Sequence, residues 1–157
     1  MVFISDEQIK NLNISSKDML DWVSETIKIK KSTILPPKIS IHLEDGSKFY
    51  NTMPCVVPSM NVAGAKIVNR YPENKPALNA HLMLYDLTNG QLKGVMDASY
   101  ITSMRTAAVA IHSVKTFAKS DYKNIAFIGL GQVGRLALKI YVETLGDKKV
   151  TIRLFNH

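Results

Sequence analysis

One hexapeptide constrains this chain more than any other feature. Gly129-Leu130-Gly131-Gln132-Val133-Gly134 follows directly on Asn124-Ile125-Ala126-Phe127-Ile128, an apolar run of the kind buried in a parallel sheet. An amphipathic helix is predicted over 132–145. Gly146 ends it, and residues 150–155 return as a second strand. A strand, a glycine turn that opens a helix, and a second strand within about 30 residues form a βαβ unit. The glycines have separate reasons to be there. Gly129 permits the tight turn, Gly131 lets the backbone approach a pyrophosphate, and Gly134 lets the helix pack on the strand. The helix N-terminus adds free N–H groups and the positive end of the helix dipole. The pattern in this context implies dinucleotide binding.

The acidic residue of such fingerprints, about 20 residues further on, is missing. Asn156 stands there, followed by His157. A carboxylate would bind the ribose 2′-hydroxyl of NAD and repel the 2′-phosphate of NADP. Asn156 carries no charge and His157 can be cationic, so the cofactor is expected to be NAD or NADP, with NADP mildly favoured. Two parallel strands and one helix also leave an exposed apolar edge. The expectation is therefore an N-terminal part of a longer protein, or a truncated product.

The remaining sequence reads differently. Residues 5–10 form a short helix, with Ser5 and Gln8 at capping-box spacing. Residues 16–31 form a second, with Ser16 as N-cap and Met19, Leu20, Trp22, Val23 and Ile27 as its apolar stripe. Pro36-Pro37 forbids its continuation. Strands follow. Ile39, Ile41 and Leu43 alternate with polar residues, Asp45-Gly46 signals a tight turn, and Lys48-Phe49-Tyr50 returns. A strand runs within 61–69, and 77–87 with 91–96 make a hairpin about Thr88-Asn89-Gly90. Residues 98–118 are helical, capped by Asp97 or Ser99, with Met104, Ala108, Ile111, Val114 and Ala118 on one buried face. The fold class expected is an α+β domain with a mainly antiparallel sheet over 1–118, followed by the start of an α/β Rossmann domain over 119–157.

Composition excludes several classes. At 46% hydrophobic and 21% charged, 157 residues are enough for a buried core, and disorder is excluded. The lone Cys55 cannot form an internal disulfide, which fits a reducing compartment. The N-terminus lacks the basic and apolar regions of a signal peptide, and no run of 18 apolar residues spans a membrane. The expected location is cytoplasmic, with no membrane partner. The net charge of +7 comes from scattered lysines without interleaved aromatics. Lys28, Lys30, Lys31 and Lys38 read as a solvated helix end, and no nucleic-acid partner is expected. The four histidines show no metal-ligand spacing, and no metal is expected.

Four segments, read in order, carry a family resemblance: Gly64-Ala65-Lys66-Ile67-Val68, Asn89-Gly90 through Val95-Met96-Asp97, Ile101-Thr102-Ser103-Met104-Arg105-Thr106-Ala107-Ala108, and the glycine turn. Over roughly 35–157 the chain resembles the ornithine cyclodeaminase/mu-crystallin family. The resemblance implies an N-terminal domain that dimerises through its sheet and binds substrate, then a Rossmann domain. It implies hydride transfer at the α-carbon of an amino acid by an NAD(P)-dependent oxidoreductase or cyclodeaminase. Substrates would be a small amino, keto or imino acid. A second reading is a non-catalytic dimeric binder of the mu-crystallin type.

Site residues follow from the resemblance one at a time. Lys66 matches a catalytic lysine that also contacts the substrate carboxylate. Arg105 matches the arginine that binds that carboxylate and borders the nicotinamide, and Thr106 follows it on the cofactor side. A planar guanidinium suits bidentate carboxylate recognition. Lys38 stands where many members have a carboxylate-binding arginine, keeping the charge and losing the fork. Asn51 lies near a glutamate of the true ornithine cyclodeaminases, which puts ornithine itself in doubt. Gln132 and Val133 match backbone positions beside the pyrophosphate, and Asn156 the adenosine ribose. A cofactor-contacting threonine of some members maps to about Ala77, so that contact is expected to be absent. The family's acid/base aspartate lies beyond His157, and a fragment without it is expected to be inactive.

Overall fold

The computed structural model describes residues 1–43 and 46–156. Asp45 of the expected tight turn and His157 lie outside the described residues. The chain divides into two compact units, 1–12 with 28–100, and 13–27 with 101–157.

The first unit is built on a six-stranded sheet. Its strands are β1 (Val2–Ile4), β2 (Ile39–Leu43), β3 (Lys48–Val57), β4 (Val62–Arg70), β5 (Leu78–Asp86) and β6 (Leu92–Asp97). They lie in the order β1-β6-β5-β4-β3-β2, antiparallel except for β1 against β6. Helix α1 (Asp6–Asn11) starts at Ser5 with the expected capping box: Ser5 Oγ accepts from Gln8 N–H at 3.2 Å, and Gln8 Oε1 from Ser5 N–H at 2.9 Å.

Three features of this unit depart from sequence expectation. Strand β1 is unforeseen, because three residues carry no periodicity and their partner lies some ninety positions away in β6. Strand β3 runs on to Val57 through Pro54, although only its first residues were expected as strand. Pro54 is tolerated because β2 ends opposite Thr52, leaving that side of β3 open until Val56 meets Ile34. The apolar face of β2 is bare. Ile39 and Ile41 are 60% and 57% exposed. Directly paired residues share a sheet face. Asn51, Val68 and Ala80 are in register and buried, whereas the opposite face, with Ile39, Ile41, Tyr50, Thr52, Ile67 and His81, has no buried member.

The second unit packs three helices beside a short parallel sheet. Helix α2 (Ser16–Ile29) and helix α3 (Ser99–Phe117, whose first two residues belong to the first unit) precede strand β7 (Asn124–Ile128). Helix α4 (Gln132–Glu143) and strand β8 (Thr151–Phe155) follow, and β7 and β8 pair in parallel. Its core is Met19 and Val23 of α2, Met104, Ala107, Ala108 and Ile111 of α3, and Ala137, Ile140 and Tyr141 of α4. Buried Tyr141 meets Phe127 edge-on at 5.7 Å and hydrogen-bonds Tyr122 through its hydroxyl at 3.0 Å.

This unit also departs from sequence expectation. Ser15, not Ser16, caps α2: its Oγ accepts Asp18 N–H at 3.1 Å, while Ser16 donates to Glu143 Oε2 at 2.5 Å. Trp22 and Ile27 are about half exposed, so only the central part of the predicted stripe is core. Ala118 is exposed and lies past the end of α3. Strand β7 is not buried on both faces. Ile125 and Phe127 are half-buried, but Ile128 is 75% exposed, because within the unit α4 covers one face of a two-stranded sheet. No described helix is long and apolar enough to cross a membrane.

Candidate functional site

The candidate residues fall in both units. In the first, Lys66 occupies the middle of β4, flanked in register by Met53 of β3 and Leu82 of β5. It is half-buried and shares a face with buried Val68. A central strand holds it more rigidly than a loop would, which suits a residue that must meet a substrate in one geometry. Lys38 is exposed, one residue before β2. Asn51 is 9% exposed and accepts a hydrogen bond from Ser40 Oγ at 2.5 Å across the β2–β3 pair. Its amide is thereby part of the sheet. Ala77 accepts from Tyr71 N–H at 2.9 Å through its backbone. The Cys55 thiol, half-buried, is pushed above its ordinary range by burial.

The start of α3 is fastened by carboxylates. Asp97 Oδ1 accepts Ser99 N–H at 2.9 Å, as the sequence suggested, and Asp6 Oδ1 accepts Tyr100 N–H at 2.8 Å, which it did not. Each satisfies one of the N–H groups a helix start leaves unpaired. In the second unit, Arg105 is the seventh residue of this helix and is exposed. Thr106 beside it donates its hydroxyl to Thr102 O at 2.7 Å, a bond back to its own helix.

The glycine turn is where the structure brings predicted residues together. Gly129 has φ +85°, a conformation that L side chains rarely adopt. Its N–H donates to Phe155 O at 2.8 Å, tying the turn to the end of β8. A Cβ on Gly134 would lie 2.0 Å from Gly129 O, so helix and turn touch backbone to backbone. A Cβ on Gly131 would meet nothing within 4 Å, and Gly131 is the N-cap of α4. Arg135 N–H bonds Gly131 O at 2.9 Å, so the helix ladder begins there. The N–H groups of Gln132, Val133 and Gly134 precede it and have no intrahelical acceptor. Space over Gly131, unspent N–H groups and the helix dipole make a cradle that fits a pyrophosphate.

Two side chains complete the turn, one of them, Arg135, not anticipated from the sequence. Asn156 Oδ1 accepts Leu130 N–H at 3.3 Å, and Arg135 Nε donates to Leu130 O at 2.8 Å. Asn156 was singled out for a ribose, not for this bond, and nothing in the spacing marked Arg135.

A sequence model of the ornithine cyclodeaminase/mu-crystallin family matches residues 2–156. The chain belongs to this family. Among curated proteins it is 27% identical over 138 residues to a Delta(1)-pyrroline-2-carboxylate reductase of Bacillus cereus, covering 84% of this chain and 42% of that protein. It is 30% identical over 136 residues to an alanine dehydrogenase of Archaeoglobus fulgidus, covering 83% and 41%. Among solved structures it is similar to Thermococcus litoralis Delta(1)-pyrroline-2-carboxylate reductase in complex with NADH and L-proline. The TM-score is 0.84 at 26% identity, over 97% of this chain and 47% of that one. The chain thus spans less than half the length of these curated relatives.

Proposed function

We propose that the protein is an NAD(P)-dependent oxidoreductase or cyclodeaminase that works at the α-carbon of a small amino or imino acid. The observation that carries this reading is the glycine turn. Its contact between Gly134 and Gly129, and its open space over Gly131, are what a bound pyrophosphate requires of a βα turn. Family membership and the NADH complex of the Thermococcus relative support the same reading. Residues 119–157 are the opening unit of a Rossmann domain, and residues 1–118 the substrate and dimerisation domain. The cofactor is NAD or NADP, with NADP favoured by the uncharged Asn156.

In this reading Gly129, Gly131, Gln132, Val133 and Gly134 hold the pyrophosphate, and Asn156 faces the adenosine ribose. Arg105 and Lys66 hold the substrate carboxylate, assisted by Lys38, and Thr106 borders the cofactor. The bound cofactor supplies hydride chemistry. The protein supplies orientation, which places the α-carbon for transfer. Lys66, fixed on a central strand, is the proton-handling group nearest the substrate amine. The bare face of the six-stranded sheet, with Ile39 and Ile41 exposed, is the dimer contact.

The test is an NAD(P)H oxidation screen over pyrroline-carboxylate-type imines and keto acids with amines. Activity should fall by about a hundredfold or more in Arg105→Lys, which keeps the charge and loses bidentate geometry. Nucleotide binding without turnover on any such substrate would instead favour a binder of the mu-crystallin type.

A further inference from the structure

The side chain of Arg135 sits against the usual electrostatic preference of a helix. It is the fourth residue of α4, and cations in a first turn oppose the helix dipole. Its Nε–H is fixed to Leu130 O at 2.8 Å, so the guanidinium folds back over the glycine turn rather than out along the helix. This bond uses one of five donors. The side chain is exposed, and among the described residues no carboxylate forms an ion pair with it.

The surrounding sequence offers none either. From Tyr122 to Val142, and again from Lys148 to Asn156, there is no Asp or Glu. A positive helix end and a fixed guanidinium, with no carboxylate in either stretch, favour an anion at this turn. The planar fork of Arg matches a phosphate's paired oxygens, which a lysine cannot do.

We propose that Arg135 is a phosphate-binding residue of this turn. Leu130 O holds its Nε, and its terminal nitrogens take the oxygens of a nucleotide phosphate. The proposal rests on the dinucleotide reading above and adds to it a residue outside the glycine fingerprint. The phosphate is either the pyrophosphate common to both cofactors or the 2′-phosphate of NADP, and binding separates the two.

The experiment is equilibrium titration of the complete natural protein with NADH and with NADPH, at several salt concentrations. Wild type, Arg135→Gln and Arg135→Lys are compared, with thermal midpoints as the folding control. Arg135→Gln should weaken binding about tenfold and flatten its salt dependence, with Arg135→Lys falling between. Loss confined to NADPH assigns the 2′-phosphate, and equal loss for both assigns the pyrophosphate. The proposal is overturned if both variants bind like wild type. It is overturned equally if both lose the same affinity with unchanged salt dependence, since Arg135 would then serve only to hold the turn. Wild-type protein that binds neither nucleotide would sink the dinucleotide reading itself, and this proposal with it.

Discussion

Gly134 packs onto Gly129 so closely that a β-carbon on Gly134 would lie 2.0 Å from the Gly129 carbonyl oxygen. The obstacle is backbone, not the end of a flexible side chain, so α4 or the turn has to move to admit one. Gly134→Ala is therefore expected to cost about 2 kcal/mol of stability, within the range for overpacking. Gly131→Ala should fold like wild type, since its φ of −68° and its open surroundings accept a methyl group. Its nucleotide affinity should nevertheless drop about tenfold, because the methyl group occupies the approach to the pyrophosphate. Urea unfolding and NADH titration of both variants check this. A stable Gly134→Ala with intact binding would contradict the geometry.

Asn156 tests the choice of cofactor. Asn156→Asp keeps an oxygen in place to accept Leu130 N–H, so the turn should survive. The new carboxylate repels a 2′-phosphate and favours a ribose hydroxyl. The ratio of NADPH to NADH affinity should fall by about tenfold or more, read from paired titrations. An unchanged ratio would remove Asn156 from the ribose end of the site.

Tyr141 sets an alkaline limit. Burial, and then the hydrogen bond it shares with Tyr122, hold its hydroxyl well above the ordinary tyrosine range. A tyrosine whose folded pKa is raised binds its proton more tightly folded than unfolded. Its contribution is complete below the unfolded value of about 10 and is lost as pH rises from there toward the folded value. Stability measured by urea unfolding should decline above about pH 10 in wild type and less steeply in Tyr141→Phe. At neutral pH that variant should lose only about 1 kcal/mol, the worth of one hydrogen bond. Parallel alkaline profiles would show that Tyr141 ionises like an exposed phenol.

Ile41 tests the sheet face. It is 57% exposed at the centre of β2, beside the equally bare Ile39. Ile41→Glu should leave the thermal midpoint of the subunit nearly unchanged and shift the sedimenting species from dimer toward monomer, since a buried unpaired carboxylate is costly. A wild-type monomer, or a dimer indifferent to the change, would assign the contact elsewhere.

Local signals proved readable where one segment carries its own physics. The Ser5–Gln8 box, the Asp97 bond at the start of α3, the hairpin about Thr88-Asn89-Gly90, the tight turn at Gly129, and the βαβ order all stand in the structure. Signals that depend on a distant partner did not read. Strand β1 exists because Val2–Ile4 meets Gly94–Met96. Asp6 reaches the N–H of Tyr100, and Pro54 sits in a strand because β2 has already ended. Trp22 and Ile128 look like core by type and are exposed, because hydrophobicity states a preference for burial and not the presence of a neighbour.

The same division holds at the candidate site. The order of residues alone determined that a glycine turn opens a helix, since glycine readily takes the φ of Gly129 and alone admits the approach of Gly134, and those needs are met within six residues. Which side chains secure that turn was decided by the tertiary fold. Asn156 arrives from just past the end of β8 and Arg135 from the first turn of α4, and both converge on Leu130. Hydrogen bonds of this kind depend on where strands and helices bring their ends in space, and spacing along the chain does not encode it.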